Sequence, residues 1–300
     1  MSDPREARAR TRRLVHEGVE RTYRLHVPGS DTSGTGTTAG TDTPRPLVVL
    51  LHGGNGTGTG MARQGDWDRL ARAEGFVTVA PDGIGRVWNA GTCCGRSVRD
   101  DVDDAGFVLA AIAQVAAEHP IDPARVYATG ISNGGMMAYR LACESPGRFA
   151  AIAPVAATMM WPAGPQAPVS LLHVHGLRDD FIPFEGGLPR RTAQRTPPSY
   201  PPVRDVVGRF VAVAGGPLPP EVRTEGEVVT TTWAPGPTGA AVELVTIAEG
   251  MHSWPGGRRM QRTLDPPSAA FDATSAIWRF FAAHPQAAHP QGGGPAQARI

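Results

Sequence analysis

The chain has 300 residues, of which 41% are hydrophobic, and a formal net charge of +1. This length and apolar content are sufficient for the core of one larger α/β domain. The near-neutral charge, with arginines dispersed along the chain, argues against a nucleic-acid-binding surface, and no apolar run approaches the roughly 20 residues of a membrane span.

The N-terminal region predicts two antiparallel strands at the edge of a sheet. Residues 14–16 and 23–27 alternate apolar and polar side chains, with a turn expected near Glu17 and Gly18. Residues 29–45 are rich in Gly, Ser and Thr and have little to bury. We therefore expect a flexible surface loop there.

The first buried strand is predicted over residues 47–51, a short continuous apolar run that ends in His52, Gly53 and Gly54. Glycines at this point let the backbone approach a bound group closely. The N–H of Gly54 is therefore a candidate donor to a negatively charged oxygen. His52 is expected to orient this loop by hydrogen bonding and to take no part in proton transfer.

A helix is predicted over residues 67–74 and a second buried strand over 76–80. A long loop follows, and it carries Trp88 and the adjacent Cys93 and Cys94. Loops at the carboxyl ends of sheet strands hold the binding sites of α/β folds. Trp88 either forms a wall of the substrate site or seals the loop, and the sequence favours neither.

The three cysteines allow a disulfide between Cys143 and one of the adjacent pair, which we weigh evenly against a free Cys143. A metal site on the adjacent cysteines is disfavoured because they lack metal-ligand spacing. The acidic residues 100–104 precede a helix predicted over 107–115. Helix capping explains these carboxylates better than metal binding.

The most informative stretch is Gly130-x-Ser132-x-Gly134, which stands between a predicted strand and a predicted helix. This arrangement is typical of a nucleophile elbow, a sharp turn that lifts the serine hydroxyl out of the fold. The N-terminus of the helix that follows, with its free N–H groups, is expected to point toward the space where an oxyanion would form. Ser132 is therefore the candidate nucleophile, and the N–H of Asn133 the second candidate oxyanion donor.

The C-terminal half supplies the remaining candidates for a catalytic triad. Asp179 follows a strand predicted over 170–176 and is the preferred acid, with Asp180 as second choice. His252 lies on a glycine-rich loop after the last predicted strand, where the general base belongs. We also predict further elements: a strand over 149–155, a loop or small cap over 186–202, a helix over 203–211, strands over 228–233 and 242–247, a helix over 271–283 and a disordered tail over 285–300, with the catalytic domain ending at residue 284.

Five motifs in this order resemble the polyhydroxybutyrate depolymerase-like esterases, which include feruloyl and acetylxylan esterases of the α/β-hydrolase fold. The motifs are Leu50-Leu51-His52-Gly53-Gly54, Trp88-Asn89-Ala90-Gly91-Thr92-Cys93-Cys94-Gly95, Gly130-Ile131-Ser132-Asn133-Gly134-Gly135-Met136, His175-Gly176-Leu177-Arg178-Asp179 and His252-Ser253-Trp254-Pro255-Gly256.

The resemblance implies one mostly parallel sheet with helices on both faces. It also implies that Ser132 is the nucleophile, Asp179 the acid and His252 the base, and it places Trp254 beside the scissile ester. No metal and no other cofactor are implied. Family members are often secreted, whereas residues 1–8 are charged and no apolar segment of a secretory signal follows them.

The expected reaction is hydrolysis of a carboxylic ester through an acyl-enzyme, on small or oligomeric substrates of short-chain, hydroxyalkanoate or feruloyl type. The expected state is a monomer or weak homo-oligomer. One alternative is a serine peptidase of the prolyl oligopeptidase type, which shares the elbow and the order of the triad. The other is a non-catalytic binding protein on the same scaffold.

Overall fold

The computed structural model describes residues 9–29, 43–192, 196–216, 219–260 and 265–286. Most of the loop predicted over 29–45 and nearly all of the tail predicted over 285–300 lie outside these residues.

One ten-stranded sheet organises the described residues, with strand order β1-β2-β4-β3-β5-β6-β7-β10-β9-β8. The six strands from β4 to β10 in this order are parallel to one another. Antiparallel strands complete both edges. The strands are β1 (Arg10–His16), β2 (Val19–His26), β3 (Arg45–Leu51), β4 (Val77–Pro81), β5 (Ile121–Ile131), β6 (Ala151–Val155), β7 (Ser170–Gly176), β8 (Glu221–Glu225), β9 (Val228–Trp233) and β10 (Val242–Ile247).

Helices cover both faces of the sheet, as expected, and the described part of the chain has seven α-helices. They are α1 (Gly58–Gln64), α2 (Trp67–Glu74), α3 (Gly95–Arg99), α4 (Asp104–Glu118), α5 (Asn133–Glu144), α6 (Val203–Ala214) and α7 (Ala273–Ala283), with a 3₁₀ turn at Ile84–Arg86. Helices α4, α5 and α6 pack on one face. Helices α1, α2 and α7 pack on the other.

The alternation of side chains along β3 explains the two layers. Val48 and Leu50 join the apolar cluster that contains α1, α2 and α7. Leu47, Val49 and Leu51 join the cluster on the opposite face. Because successive strand residues point to opposite faces, a continuous apolar strand supplies both clusters at once.

The capping role expected for the acidic residues 100–104 is confirmed at Asp103. Asp103 caps α4, because its carboxylate accepts a hydrogen bond from the N–H of Gly106 and its other oxygen lies 2.8 Å from His16 Nε2. Gly75 ends α2 in the left-handed conformation, with φ of 78°. No helix in the described part of the chain combines the length and the apolar character that a membrane crossing needs.

The disulfide considered for Cys143 is not formed. Cys93 and Cys94 are joined to each other. Cys143 is a free, buried thiol on α5, and its sulfur lies 3.6 Å from the sulfur of Met159. Burial raises the pKa of Cys143 to about 12, so the residue behaves as a small apolar side chain.

Candidate active site

Ser132 occupies a strained turn between β5 and α5. Its backbone has φ of 56° and ψ of −125°, a conformation that residues other than glycine rarely adopt. The Ser132 N–H donates to the carbonyl of Val155 on the neighbouring strand at 2.9 Å, which fixes the turn against the sheet. The elbow predicted from the sequence is therefore present.

The glycines of the elbow are required by backbone packing. A Cβ atom on Gly134 would lie 2.2 Å from the carbonyl oxygen of Leu51 and 2.5 Å from that of His52. A Cβ atom on Gly130 would lie 2.6 Å from the same Leu51 oxygen. Since the obstructing atoms are backbone atoms of β3 and its loop, no side-chain movement can relieve these contacts.

His52 holds the loop that follows β3. Its Nε2 accepts a hydrogen bond from the N–H of Gly83 at 3.0 Å, so the proton resides on Nδ1, which lies 2.8 Å from the Gly53 carbonyl. Burial lowers the pKa of His52 and keeps the ring neutral. The structural role expected for this histidine is confirmed.

The same loop presents Gly54 to the space near Ser132. The N–H of Asn55 donates to the Arg86 carbonyl at 2.8 Å, and the N–H of Gly56 donates to the Gly53 carbonyl at 2.9 Å. Within the described ranges no acceptor pairs with the Gly54 N–H. The Gly54 N–H is therefore open to a ligand.

Asp179 and His252 form a close hydrogen-bonded pair, with 2.7 Å between Asp179 Oδ2 and His252 Nδ1. The other Asp179 oxygen accepts from the N–H groups of Phe181 at 2.9 Å and Ile182 at 2.7 Å. Burial by itself would raise the pKa of Asp179, but the pairing with His252 and the hydrogen bond from the Ile182 N–H help to outweigh burial, and the pKa is lowered. The carboxylate is thus held ionised beside the imidazole.

Ser132, His252 and Gly54 line one cavity of about 310 Å³. Asp179 lies behind His252 and is 4% exposed. Asn133 begins α5 directly after Ser132, and the first N–H groups of a helix have no partner within the helix. The structure thus brings the predicted serine, imidazole and loop glycine to one cavity, with the carboxylate behind the imidazole.

A relative that spans most of the chain identifies the family. The putative esterase NocK of Nocardia uniformis subsp. tsuyamanensis is 32% identical to this chain over 275 residues, which is 84% of this chain and 76% of the relative. The chain belongs to an esterase family of the α/β-hydrolase fold. It is therefore a carboxylic ester hydrolase, as the sequence predicts.

Other similarities cover smaller parts of the chain or are more distant. The probable feruloyl esterase C of Aspergillus niger is 28% identical to this chain over 180 residues. These residues are 58% of this chain and 60% of the Aspergillus protein. The model of the prolyl oligopeptidase family matches residues 69–167. The solved acetyl xylan esterase from Aspergillus awamori shares the fold, with a TM-score of 0.58 and 16% sequence identity. The match covers 81% of this chain and 94% of the Aspergillus chain.

The substrate contact expected for Trp254 is wrong, and of the two roles considered for Trp88 the structure supports sealing the loop, because both indoles are 0% exposed. Trp254 donates to the hydroxyl of Thr274 at 2.9 Å and packs edge-on against Trp67. Trp88 donates its indole N–H to the His52 carbonyl at 2.8 Å. Both side chains support the site of the esterase from inside the fold.

Trp88 also connects the two loops that carry the candidate oxyanion donors. The side-chain amide of Asn133 bonds both backbone groups of Trp88, accepting from its N–H at 2.7 Å and donating to its carbonyl at 3.1 Å. The Trp88 indole in turn holds His52, two residues before Gly54. The elbow and the glycine loop of the esterase are thus fixed relative to each other.

A buried hydrogen-bond chain behind Asp179 was not predicted. Tyr139 Oη lies 2.7 Å from His173 Nδ1, His173 Nε2 lies 3.0 Å from His175 Nδ1, and His175 Nε2 lies 2.9 Å from the Ile182 carbonyl. Because the Ile182 carbonyl can only accept, His175 Nε2 must donate to it, His173 Nε2 donates to His175 Nδ1, and the Tyr139 hydroxyl donates to His173 Nδ1. The spacing of His173 and His175 on β7 is a signal that could have revealed a shared face.

Two further expectations concern the region around Asp179. Asp180 lies 3.7 Å from Arg190 and is partly exposed, so it does not replace Asp179 as the partner of His252. Residues 186–202 were expected to form a loop or cap over the site. Leu188 and Arg190 of this segment line a second cavity of about 740 Å³ that Asp179 and Met251 also border.

Proposed function

We propose that the esterase uses Ser132 as nucleophile, His252 as general base and Asp179 as the acid that orients the imidazole. The observation that supports this assignment best is the 2.7 Å contact between Asp179 and His252 Nδ1, with the rest of the imidazole lining the cavity of Ser132. Asp179 as acceptor places the imidazole proton on Nδ1 and leaves Nε2 as the base.

In this mechanism His252 Nε2 removes the Ser132 proton while the serine oxygen attacks the ester carbonyl. The N–H groups of Asn133 and Gly54 donate to the oxyanion of the tetrahedral intermediate. His252 then returns the proton to the leaving alcohol as the acyl-enzyme forms. Water attacks the acyl-enzyme with the same histidine as base, releasing the carboxylic acid and restoring Ser132.

The substrate class we propose is a small or oligomeric ester with a short-chain, hydroxyalkanoate or feruloyl acyl group. The volume of about 310 Å³ lies at the small end of ligand pockets, which favours a compact group in this cavity. The names of the feruloyl and acetylxylan esterases similar to this chain agree with a feruloyl or an acetyl group. We further propose a monomer or weak homo-oligomer, which light scattering would measure.

A peptidase of the prolyl oligopeptidase type is the second candidate, and the match of that family model to residues 69–167 favours it. That segment contains the elbow, which esterases and peptidases of this fold share. Comparison of kcat/KM for a p-nitrophenyl ester and for a p-nitroanilide with the same acyl group separates the two. The esterase proposal expects the ester to be favoured far beyond its greater intrinsic reactivity.

The assignment is tested with Ser132→Ala and with a fluorophosphonate probe. We expect kcat for a p-nitrophenyl ester to fall by on the order of 10⁴ to 10⁶, and the probe to label the wild type at Ser132 alone. Ser253→Ala is the matched control, because this serine lines the same cavity and its hydroxyl contacts only the Met251 carbonyl within the described residues. Turnover retained by Ser132→Ala would exclude the proposed nucleophile.

A further inference from the structure

The cavity that contains Ser132 has an excess of positive charge. Arg86, Arg258 and Arg259 line it, and among the described residues Asp265 is the one carboxylate that does so. Asp265 already lies 2.6 Å from Arg191. The cationic residues at this cavity therefore outnumber the anionic ones even before their neighbours are considered.

The two acidic residues recorded at these arginines are also engaged by arginines outside the cavity. Arg258 lies 3.8 Å from Asp66 Oδ1, but the same carboxylate also binds Arg69 at 2.9 Å. Asp66 is thus shared by Arg258 and Arg69, and Asp265 is paired with Arg191.

The position of these arginines is more informative than their type. Every Lys or Arg residue of this chain is an arginine, so arginine in place of lysine carries no information. The net charge of the whole chain is only +1, so a local excess beside Ser132 is not the consequence of a basic protein. The excess lies where a substrate would bind.

Helix α1 holds the backbone of Arg258 at the cavity, and Arg259 follows it in the chain. The Arg258 N–H donates to the carbonyl of Gln64, the last residue of α1, at 2.8 Å, which fixes the backbone there. Both side chains are exposed to solvent. Arg86 differs, because its Nε donates to the Gly56 carbonyl at 3.1 Å and so supports the loop that carries Gly54.

We propose that this cavity selects esters that carry a second, ionised carboxylate, and that Arg258 and Arg259 recognise that carboxylate. The inference rests on the proposed function of the same cavity. A guanidinium group binds a carboxylate through two parallel N–H donors, and a cavity of about 310 Å³ keeps a compact substrate within reach of its rim. The substrate class is therefore a small half-ester of a dicarboxylic acid or an ester of a hydroxy acid.

The preference for the anionic ester should be moderate because the side chains of Arg258 and Arg259 are exposed. An exposed ion pair is worth roughly 1.4- to 5-fold in binding, so two pairs give roughly 2- to 25-fold in kcat/KM at low ionic strength. Added salt screens exposed charges, with a Debye length of about 10 Å at 0.1 M. The preference for the anionic ester should therefore shrink as salt is added, mainly through KM.

The test compares mono-p-nitrophenyl glutarate, which is anionic, with the p-nitrophenyl ester of monomethyl glutarate, which is neutral. We expect the wild type to favour the anionic ester at low salt. In R258Q/R259Q the ratio of the two kcat/KM values should fall by roughly 2- to 25-fold, with hydrolysis of the neutral ester nearly unchanged. In 4-acetoxybenzoate the carboxylate lies on the alcohol part of the ester and not on the acyl part. Its hydrolysis therefore shows which of the two parts faces the arginines.

Arg223→Gln provides the matched control, since Arg223 is an exposed arginine on the edge strand β8 and its loss changes the net charge in the same direction. In Arg223→Gln the ratio of kcat/KM for the anionic ester to that for the neutral ester should equal the wild-type ratio. Circular dichroism should show native folding of all variants. Equal kcat/KM for both esters in the wild type, or a ratio unchanged in R258Q/R259Q, would overturn the inference and leave the esterase proposal intact. Retained turnover by Ser132→Ala would instead overturn the proposed function.

Discussion

At the scale of single residues, the site depends on close backbone approach around Ser132. The serine adopts its strained conformation because α5 begins immediately after β5, and that sharp turn brings Gly134 against the carbonyl of Leu51. Gly54 is different, since a Cβ atom there would meet nothing within 4 Å. Two glycines of the same site therefore have opposite tolerance for a side chain.

This difference predicts opposite effects on folding. Gly134→Ala should strongly destabilise the protein, because a Cβ atom 2.2 Å from a backbone oxygen forces the strand and the helix apart. Gly54→Ala should keep the wild-type unfolding free energy within about 0.5 kcal/mol. Urea unfolding followed by circular dichroism measures both. Equal stability of the two variants would contradict the packing that explains the elbow.

The sequence predicted the residues whose roles follow from local motifs. Ser132, Asp179 and His252 each follow a strand in the expected chain order, and the structure places them near one another. Trp254 was misinterpreted, and the choice between the two roles of Trp88 stayed open, because the burial of an indole is decided by distant segments. The Thr274 hydroxyl beneath Trp254, for example, lies 20 residues further along the chain.

At the scale of elements, β7 and the loop after it carry the acid of the proposed triad. His173 and His175 lie on one face of β7 and are both 0% exposed. Burial lowers the pKa of each ring, so the two histidines stay neutral and transmit hydrogen bonds from Tyr139 to the Ile182 carbonyl. The Ile182 N–H donates to Asp179, so the hydrogen-bond chain fixes the segment that holds the carboxylate.

Tyr139→Phe should therefore destabilise the protein by about 1 to 3 kcal/mol, because it leaves the buried Nδ1 of His173 without its donor. Tyr23→Phe is the matched control. The Tyr23 hydroxyl donates to Gln114 at 3.0 Å, and Gln114 is partly exposed and can bond to water instead. Urea unfolding of both variants gives the comparison. Losses of equal size would show that the buried histidine does not depend on Tyr139.

Most strands and helices could be predicted, and the exceptions have physical reasons. Strand β8, Glu221–Glu225, is exposed at every residue and has no apolar alternation to reveal it. It forms because its backbone pairs with β9 at the sheet edge. Helix α1, Gly58–Gln64, contains two glycines and only a few apolar residues, and it depends on its Thr57 cap and on packing against the sheet.

At the scale of the whole molecule, two apolar layers enclose the sheet and determine which polar groups are buried. Tyr127 of the central strand β5 points into the layer formed with α7, where its ring stacks on Phe281 with 4.7 Å between centroids. The side chain is 0% exposed, and its hydroxyl has no hydrogen-bond partner in the described part of the chain. Burial raises the pKa of Tyr127 to about 12.

This buried phenol predicts a loss of stability in alkali that Tyr127→Phe should remove. Below pH 10 the phenol is neutral in both the folded and the unfolded chain. Between pH 10 and about 12 only the unfolded chain ionises, so the wild type loses roughly 2 to 3 kcal/mol of stability over that range. The other tyrosines remain in the variant, so their ionisation cancels in the comparison.

We therefore expect Tyr127→Phe to unfold at a slightly higher urea concentration than the wild type at pH 7, since the variant no longer buries an unpaired hydroxyl. The difference in unfolding free energy should then grow steadily from pH 10 to pH 12. Urea titrations at pH 7, 10 and 11.5 measure it. Curves that stay parallel over this range would mean that the Tyr127 hydroxyl reaches water in the folded protein, and that α7 does not seal this face of the sheet.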